Sequence, residues 1–265
     1  MNLEEVHCKT ALSPSKLPGL DYSLNPYSGC QHQCVYCYVP SVLHIPRNTW
    51  TNTLNVKRNI PLVLAKELQK KKPGVVGLST VTDPYQPVEK KYQLSRYCLE
   101  QLLRKDFPVC IQTKSSLVLR DFDIITQFSN IEVMMSIATD NESQRQIMEP
   151  GSSSLSKRIR VLETFGETKV KTSVFLGPMY PTISLDSLPK LLDSFIDANV
   201  DEIMIDKFHM KPGLQHYFTA CLKNSPEVLT DFSINKLTDE EWFTSIRSAI
   251  HEYLKKTKII VVDAF

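Results

Sequence analysis

No stretch of this 265-residue chain approaches the ~18 consecutive apolar residues that a membrane span needs. Nor does it open like a secretory leader, because Met1 to Glu5 is acidic where a signal peptide is basic and then apolar. An excess of one charge is also missing. The 31 Lys and Arg against 29 Asp and Glu leave +2, too little for the broad basic footprint of a protein that tracks nucleic acid. Short basic runs at Lys70 to Lys72, Lys90-Lys91 and Lys255-Lys256 fall at the ends of expected helices, where solvated faces account for them. No repeat, low-complexity tract or obvious linker divides the chain. With 42% hydrophobic residues it has material for one substantial core. The expectation is one cytoplasmic domain over 1–265, with a core at about 20–210 and an extension over about 211–265.

Paired cysteines are lacking too. Of seven, Cys8, Cys98, Cys110 and Cys221 stand alone, while Cys30, Cys34 and Cys37 share the run Asn25-Pro26-Tyr27-Ser28-Gly29-Cys30-Gln31-His32-Gln33-Cys34-Val35-Tyr36-Cys37-Tyr38. An odd total argues against a disulfide framework. Three thiolates suit a cubic iron–sulfur cluster with one iron left open, whereas an electron carrier closes all four. An open iron can bind a substrate. The competing reading is a zinc cage completed by His32 or a remote ligand, although zinc sites usually show two short-spaced pairs.

The spacing Cys-x3-Cys-x2-Cys with Tyr36 before the last cysteine resembles the radical S-adenosylmethionine (SAM) superfamily. More narrowly, Asn25-Pro26-Tyr27, Cys37-Tyr38 and Thr82-Asp83-Pro84-Tyr85-Gln86-Pro87 resemble its spore photoproduct lyase-related branch, over about 12–181. The resemblance implies a 4Fe-4S cluster on the three cysteines and SAM on the open iron. It further implies reductive cleavage of SAM to a 5'-deoxyadenosyl radical that abstracts a substrate hydrogen, with ferredoxin or flavodoxin as electron donor. A nucleic-acid substrate is the suggestion of that branch. At one point the chain departs from it: those lyases carry a cysteine hydrogen donor immediately before the residue matched by Thr82, and here Val81 stands there. Tyr38 matches a tyrosine of their radical relay, which makes it the candidate catalytic side chain. A non-catalytic zinc or iron–sulfur binding module is the alternative from another class, and it would not turn over SAM.

Short β-rich runs alternate with amphipathic segments. Strands are expected at Tyr22 to Asn25, Val75 to Thr80, Val109 to Thr113, Ile131 to Ile137, Val170 to Leu176, Glu202 to Asp206 and Ile259 to Asp263. Ile60, Val63, Leu64 and Leu68 repeat at helical spacing behind Pro61, as do Leu94, Tyr97, Cys98 and Leu102. Thr238 and Glu241 read as the capping box of a further helix through Leu254. Such units make an α/β fold, a partial (β/α)6 TIM-like barrel with a C-terminal helix and strand added.

Loops after barrel strands form the active site, and the polar motifs fall there. Alternation puts Lys114 on the face of Cys110 and Gln112, pointing inward where a cation needs an anion; the resemblance supplies the SAM carboxylate. A surface lysine at a strand end is the plain alternative. By resemblance Thr82 and Ser136 bond the amino group and ribose of SAM, and Tyr36 packs on the adenine; turn capping and loop packing are the alternatives. Asp83 either bonds substrate or fixes its turn. Arg145, Glu149 and Arg158 follow a family pattern, Arg-x3-Glu-Pro and a later Arg, and also suit a helix-to-loop salt bridge. His32 is expected to hydrogen-bond the cluster sulfurs, and Gly29 to let the backbone approach the cluster. Asp206-Lys207-Phe208-His209 and Val262-Asp263-Ala264-Phe265 are expected on the substrate side.

Overall fold

A computed structural model describes residues 1–211 and 213–264. In chain order its strands are β1 (Asn2–Val6), β2 (Leu12–Pro14), β3 (Tyr22–Leu24), β4 (Tyr27–Ser28), β5 (Thr53–Lys57), β6 (Val76–Leu78), β7 (Val109–Thr113), β8 (Ile131–Ser136), β9 (Lys171–Leu176), β10 (Glu202–Ile205) and β11 (Ile260–Asp263). The main sheet has the order β11-β10-β9-β8-β7-β6-β3-β2, and β1-β5-β4 form a second, smaller sheet. From β3 to β10 every neighbour is parallel, with helices on the crossovers. This is the expected partial barrel. The helix Glu240–Leu254 leads into β11, which pairs parallel with β10 as the added strand.

Period-two patterning sets the two faces of each strand. In β7, Val109, Ile111 and Thr113 are buried while Cys110 and Gln112 are half-buried on the other face. Helix Leu94–Leu103 packs Cys98, Leu99 and Leu102 into the same core, and helix Leu188–Asp197 packs Leu191, Leu192 and Phe195. Each such side chain contributes about 1.5–3 kcal/mol by leaving water. The β7–β8 register pairs Thr113 with Met135, so one residue further Lys114 comes beside Ser136 at the C-terminal rim. A separate aromatic cluster of Tyr36, Tyr180, Phe208, Phe218 and Phe232 ties the cysteine loop to helices Leu214–Cys221 and Pro226–Asp231.

Three features differ from the sequence reading. Strands β1, β2, β4 and β5 were not expected: β1 is exposed and acidic, β2 and β4 are very short, and the alternation of β5 passed unused. Thr238 does not cap the long helix, because its hydroxyl donates to Ile234 O at 2.8 Å and closes the helix Ile234–Leu237; Asp239 is the cap, accepting from Trp242 N at 2.9 Å. Gly29 (φ 99°) serves an approach that the sequence did not reveal, since a Cβ there would overlap Thr53 O of β5. Phe265, part of the C-terminal run assigned to the substrate side, lies outside the described residues.

Candidate active site

The loop after β3 is tethered before it reaches its first cysteine. Asn25 Oδ1 accepts from Thr80 N and Val81 N at 3.0 and 3.2 Å, stapling it to the loop after β6. Gln31 and Gln86 repeat the staple further on: Gln31 N donates to Gln86 Oε1 at 2.9 Å, and Val88 N to Gln31 Oε1 at 2.6 Å. Thr82 Oγ1 donates to Gly29 O at 2.5 Å and accepts from Gln86 Nε2 at 2.9 Å. Its hydroxyl proton is therefore committed to the cysteine loop. Asp83 is enclosed in its own turn, accepting from Thr113 Oγ1 (2.7 Å), Lys114 N (2.8 Å) and Tyr85 N (2.9 Å). His32 Nδ1 stands 3.3 Å from Asp83 Oδ2, without hydrogen-bond alignment, so this edge of the ring faces the carboxylate.

Cys30, Cys34 and Cys37 are all free thiols. Burial pushes Cys30 up to about 12, Cys34 well above the ordinary thiol value, and Cys37 upward. Backbone N–H groups of His32 and Asp83 oppose this at Cys30, and that of Val39 at Cys37. Such thiols ionise when a metal takes the proton's place. Backbone donors beside two of the three thiols suit a cluster, whose sulfurs are stabilised by N–H bonds. Among the described residues no three His, Cys, Asp or Glu side chains, the three cysteines included, are grouped closely enough to hold a single metal ion.

Lys114 is brought to the same place from β7. Burial works against its charge, but Cys34, Glu149 and Asp83 outweigh this and raise its pKa. The ammonium lies 5.8 Å from the centre of the Tyr36 ring. Tyr36 is buried edge-on against Tyr180 and Phe208, at 6.0 and 5.8 Å between ring centres, and its hydroxyl donates to Glu149 Oε1. Glu149 in turn receives Arg158 Nη2, an ion pair with both side chains out of water. Ser136 is buried at the end of β8, its carbonyl accepting from Arg158 Nη1 at 2.8 Å.

Tyr38 is different, half in solvent at 49% exposure. Burial of the remainder raises its pKa, helped by Cys37 and Asp206, which places it between the cysteine loop and the end of β10. Asp206 accepts from or shares a proton with His209 Nε2 at 2.9 Å, and burial raises its pKa despite that partner. Arg47 reaches the loop from the far side, donating to Cys37 O at 2.7 Å and covering the Tyr217 ring at 4.4 Å. Gly151 N donates to His32 O at 3.0 Å from the loop after helix Glu142–Met148, and Gly151, Gln31, Gln86 and Arg47 carried no role in the sequence analysis. Gln31, inside the cysteine run, and Gln86, inside the Thr82 to Pro87 motif, carried a usable signal.

Comparison with known proteins shows a shared fold. A cysteine-to-serine variant of spore photoproduct lyase superposes with a TM-score of 0.76 at 14% identity, covering 98% of this chain and 81% of that one. A variant of the same lyase with AdoMet and dinucleoside spore photoproduct bound gives 0.74 at 14% identity over the same shares. An uncharacterized protein of Methanocaldococcus jannaschii is 35% identical over 180 residues, 68% of each chain. A radical SAM Nα-GlyT isomerase of a Pseudomonas phage is 25% identical over 160 residues, 60% of this chain and 33% of its own. No helix among the described residues is long and apolar enough to cross a membrane. The family profile described as the radical SAM superfamily matches residues 24–205, and this chain belongs to that superfamily of enzymes.

Proposed function

We propose that the enzyme holds a 4Fe-4S cluster on Cys30, Cys34 and Cys37 and binds SAM at the open iron beside Lys114. The observation that carries this is Lys114 at the C-terminal rim of the barrel, a half-buried cation whose ammonium lies 5.8 Å from the ring of Tyr36, the residue before the last cysteine. When bound, the two groups supply one-electron cleavage of the sulfonium and a 5'-deoxyadenosyl radical for hydrogen abstraction. The chain's own part is placement. Lys114 pairs the SAM carboxylate, Ser136 on the adjoining strand offers its hydroxyl to the ribose, and Tyr36 borders the adenine. Thr82, already bonded to Gly29, keeps an acceptor lone pair for the SAM amino group. Tyr38, half exposed and near Asp206, is the candidate relay side chain on the substrate side. A small electron-transfer protein such as ferredoxin or flavodoxin supplies the electron.

A nucleic-acid substrate is the second reading, favoured by the likeness to a lyase solved with a dinucleoside photoproduct. The net charge of +2 fits contact with a short segment better than with a long duplex.

Anaerobic reconstitution tests the main reading. About four irons per chain and 5'-deoxyadenosine formed from SAM with dithionite are expected, with both lost in Cys34→Ala. A colourless protein with one zinc per chain would overturn it.

A further inference from the structure

Glu149 makes more contacts than a helix-to-loop ion pair requires. Oε2 accepts from Arg158 Nη2, and Arg158 is itself held by Ser136 O at 2.8 Å and Ser153 O at 2.9 Å. Arg145 Nη1 grips the Glu149 carbonyl at 3.1 Å. This leaves Oε1, and it takes the Tyr36 hydroxyl from 113 residues away. The backbone on both sides clasps the same loop: Val35 N donates to Met148 O at 2.9 Å, and Gly151 N to His32 O at 3.0 Å. All three contacts land between the first and last cysteines.

The charges are as informative. Arg158 and Lys114 are two cations facing one buried carboxylate, and Arg158 takes it. Among the described residues no carboxylate lies within ion-pair distance of the Lys114 ammonium. A half-buried ammonium with no carboxylate bonded to it keeps its hydrogen-bond donors free for an incoming anion.

We propose that Glu149 is the positioning residue of this site: through Tyr36 it fixes the loop between Cys34 and Cys37, and by pairing with Arg158 it leaves Lys114 available to an incoming anion. The proposal rests on the cluster reading above.

Tyr36→Phe is the informative variant, because the ring stays against Tyr180 and Phe208 while the hydroxyl that bonds Glu149 is removed. In cluster-free protein, hydrogen exchange across residues 32–37 should quicken about tenfold in Tyr36→Phe and in Glu149→Gln. In reconstituted protein, the spectrum of the reduced cluster in electron paramagnetic resonance should no longer convert to one SAM-bound species at SAM levels that saturate the wild type. Wild-type exchange and a wild-type SAM-bound spectrum in both variants would overturn the proposal. Should Glu149→Gln fail to fold, Tyr36→Phe decides alone. A wild-type protein that takes up no cluster defeats the cluster reading instead, and the exchange measurement still judges the Tyr36 link.

Discussion

The amide of Gly151 donates to the carbonyl of His32 at 3.0 Å, and this clasp has room for nothing larger than glycine. A Cβ on Gly151 would overlap the Gln31 carbonyl and crowd the His32 Cα, both of them backbone, so no side-chain rotation relieves it. Gly151→Ala therefore displaces the cysteine loop or the segment after helix Glu142–Met148. Overpacking of this kind costs about 1–3 kcal/mol. The expected outcome is a lower unfolding midpoint and reconstituted iron below about half the wild-type content. Iron analysis and thermal unfolding of the same preparation check it, and a fully loaded alanine variant would refute it.

Lys114→Met separates binding of SAM from binding of the cluster. The thioether keeps the length and apolar stem, while Arg158 continues to pair Glu149, so the fold should survive. A hydrogen bond between charged groups is worth about 1.5–3 kcal/mol, or roughly 10- to 100-fold in affinity. Calorimetric titration of anaerobic protein should show SAM binding weakened by that factor with iron content unchanged. Lys114→Arg should recover part of the loss.

How much of this was legible before the structure depends on sequence distance. β7 was bounded at Val109–Thr113 from alternation alone, and it delivers Lys114 to the rim as alternation requires. The Glu149–Arg158 pair was also visible, nine residues apart. Its Tyr36 partner was not, because no periodic pattern spans 113 residues. Asp83 had two readings, and its four neighbours, drawn from its own turn, β7, the start of the next loop and His32, support the turn-fixing one. Thr238 was misassigned because the short helix before it claims the hydroxyl that a capping box would use.

Asp83 should give the cluster-free protein part of its acid sensitivity. Burial alone would raise its pKa, but the His32 ring and the bonds from Lys114 N and Thr113 bring it from 3.8 to about 2. A carboxylate held below its unfolded value stabilises the fold above about pH 4, and this contribution fades as pH falls towards 2. The linkage is worth on the order of 2 kcal/mol. In denaturant titrations Asp83→Asn should be less stable by about that amount at pH 6, and the gap to wild type should narrow between pH 4 and 2. A gap that is constant with pH would show that the carboxylate's charge contributes nothing.

Val81 bears on what the radical is for. It precedes Thr82, and its amide is fixed by Asn25 Oδ1 at 3.2 Å, so its position next to the cysteine loop is set by the backbone. An aliphatic side chain gives up hydrogen far less readily than a thiol. A thymine radical formed beside Val81 would have no donor there, and the other thiols are poorly placed: Cys98 is in the helix core and Cys110 faces Glu132 in mid-sheet. The expected result is that reduced, SAM-loaded wild-type enzyme does not turn dinucleoside spore photoproduct into thymine catalytically, while 5'-deoxyadenosine still forms. Val81→Cys should raise any thymine yield without altering SAM cleavage. Multiple turnovers to thymine by the wild type would mean that the hydrogen comes from elsewhere, with Tyr38 the first residue to replace.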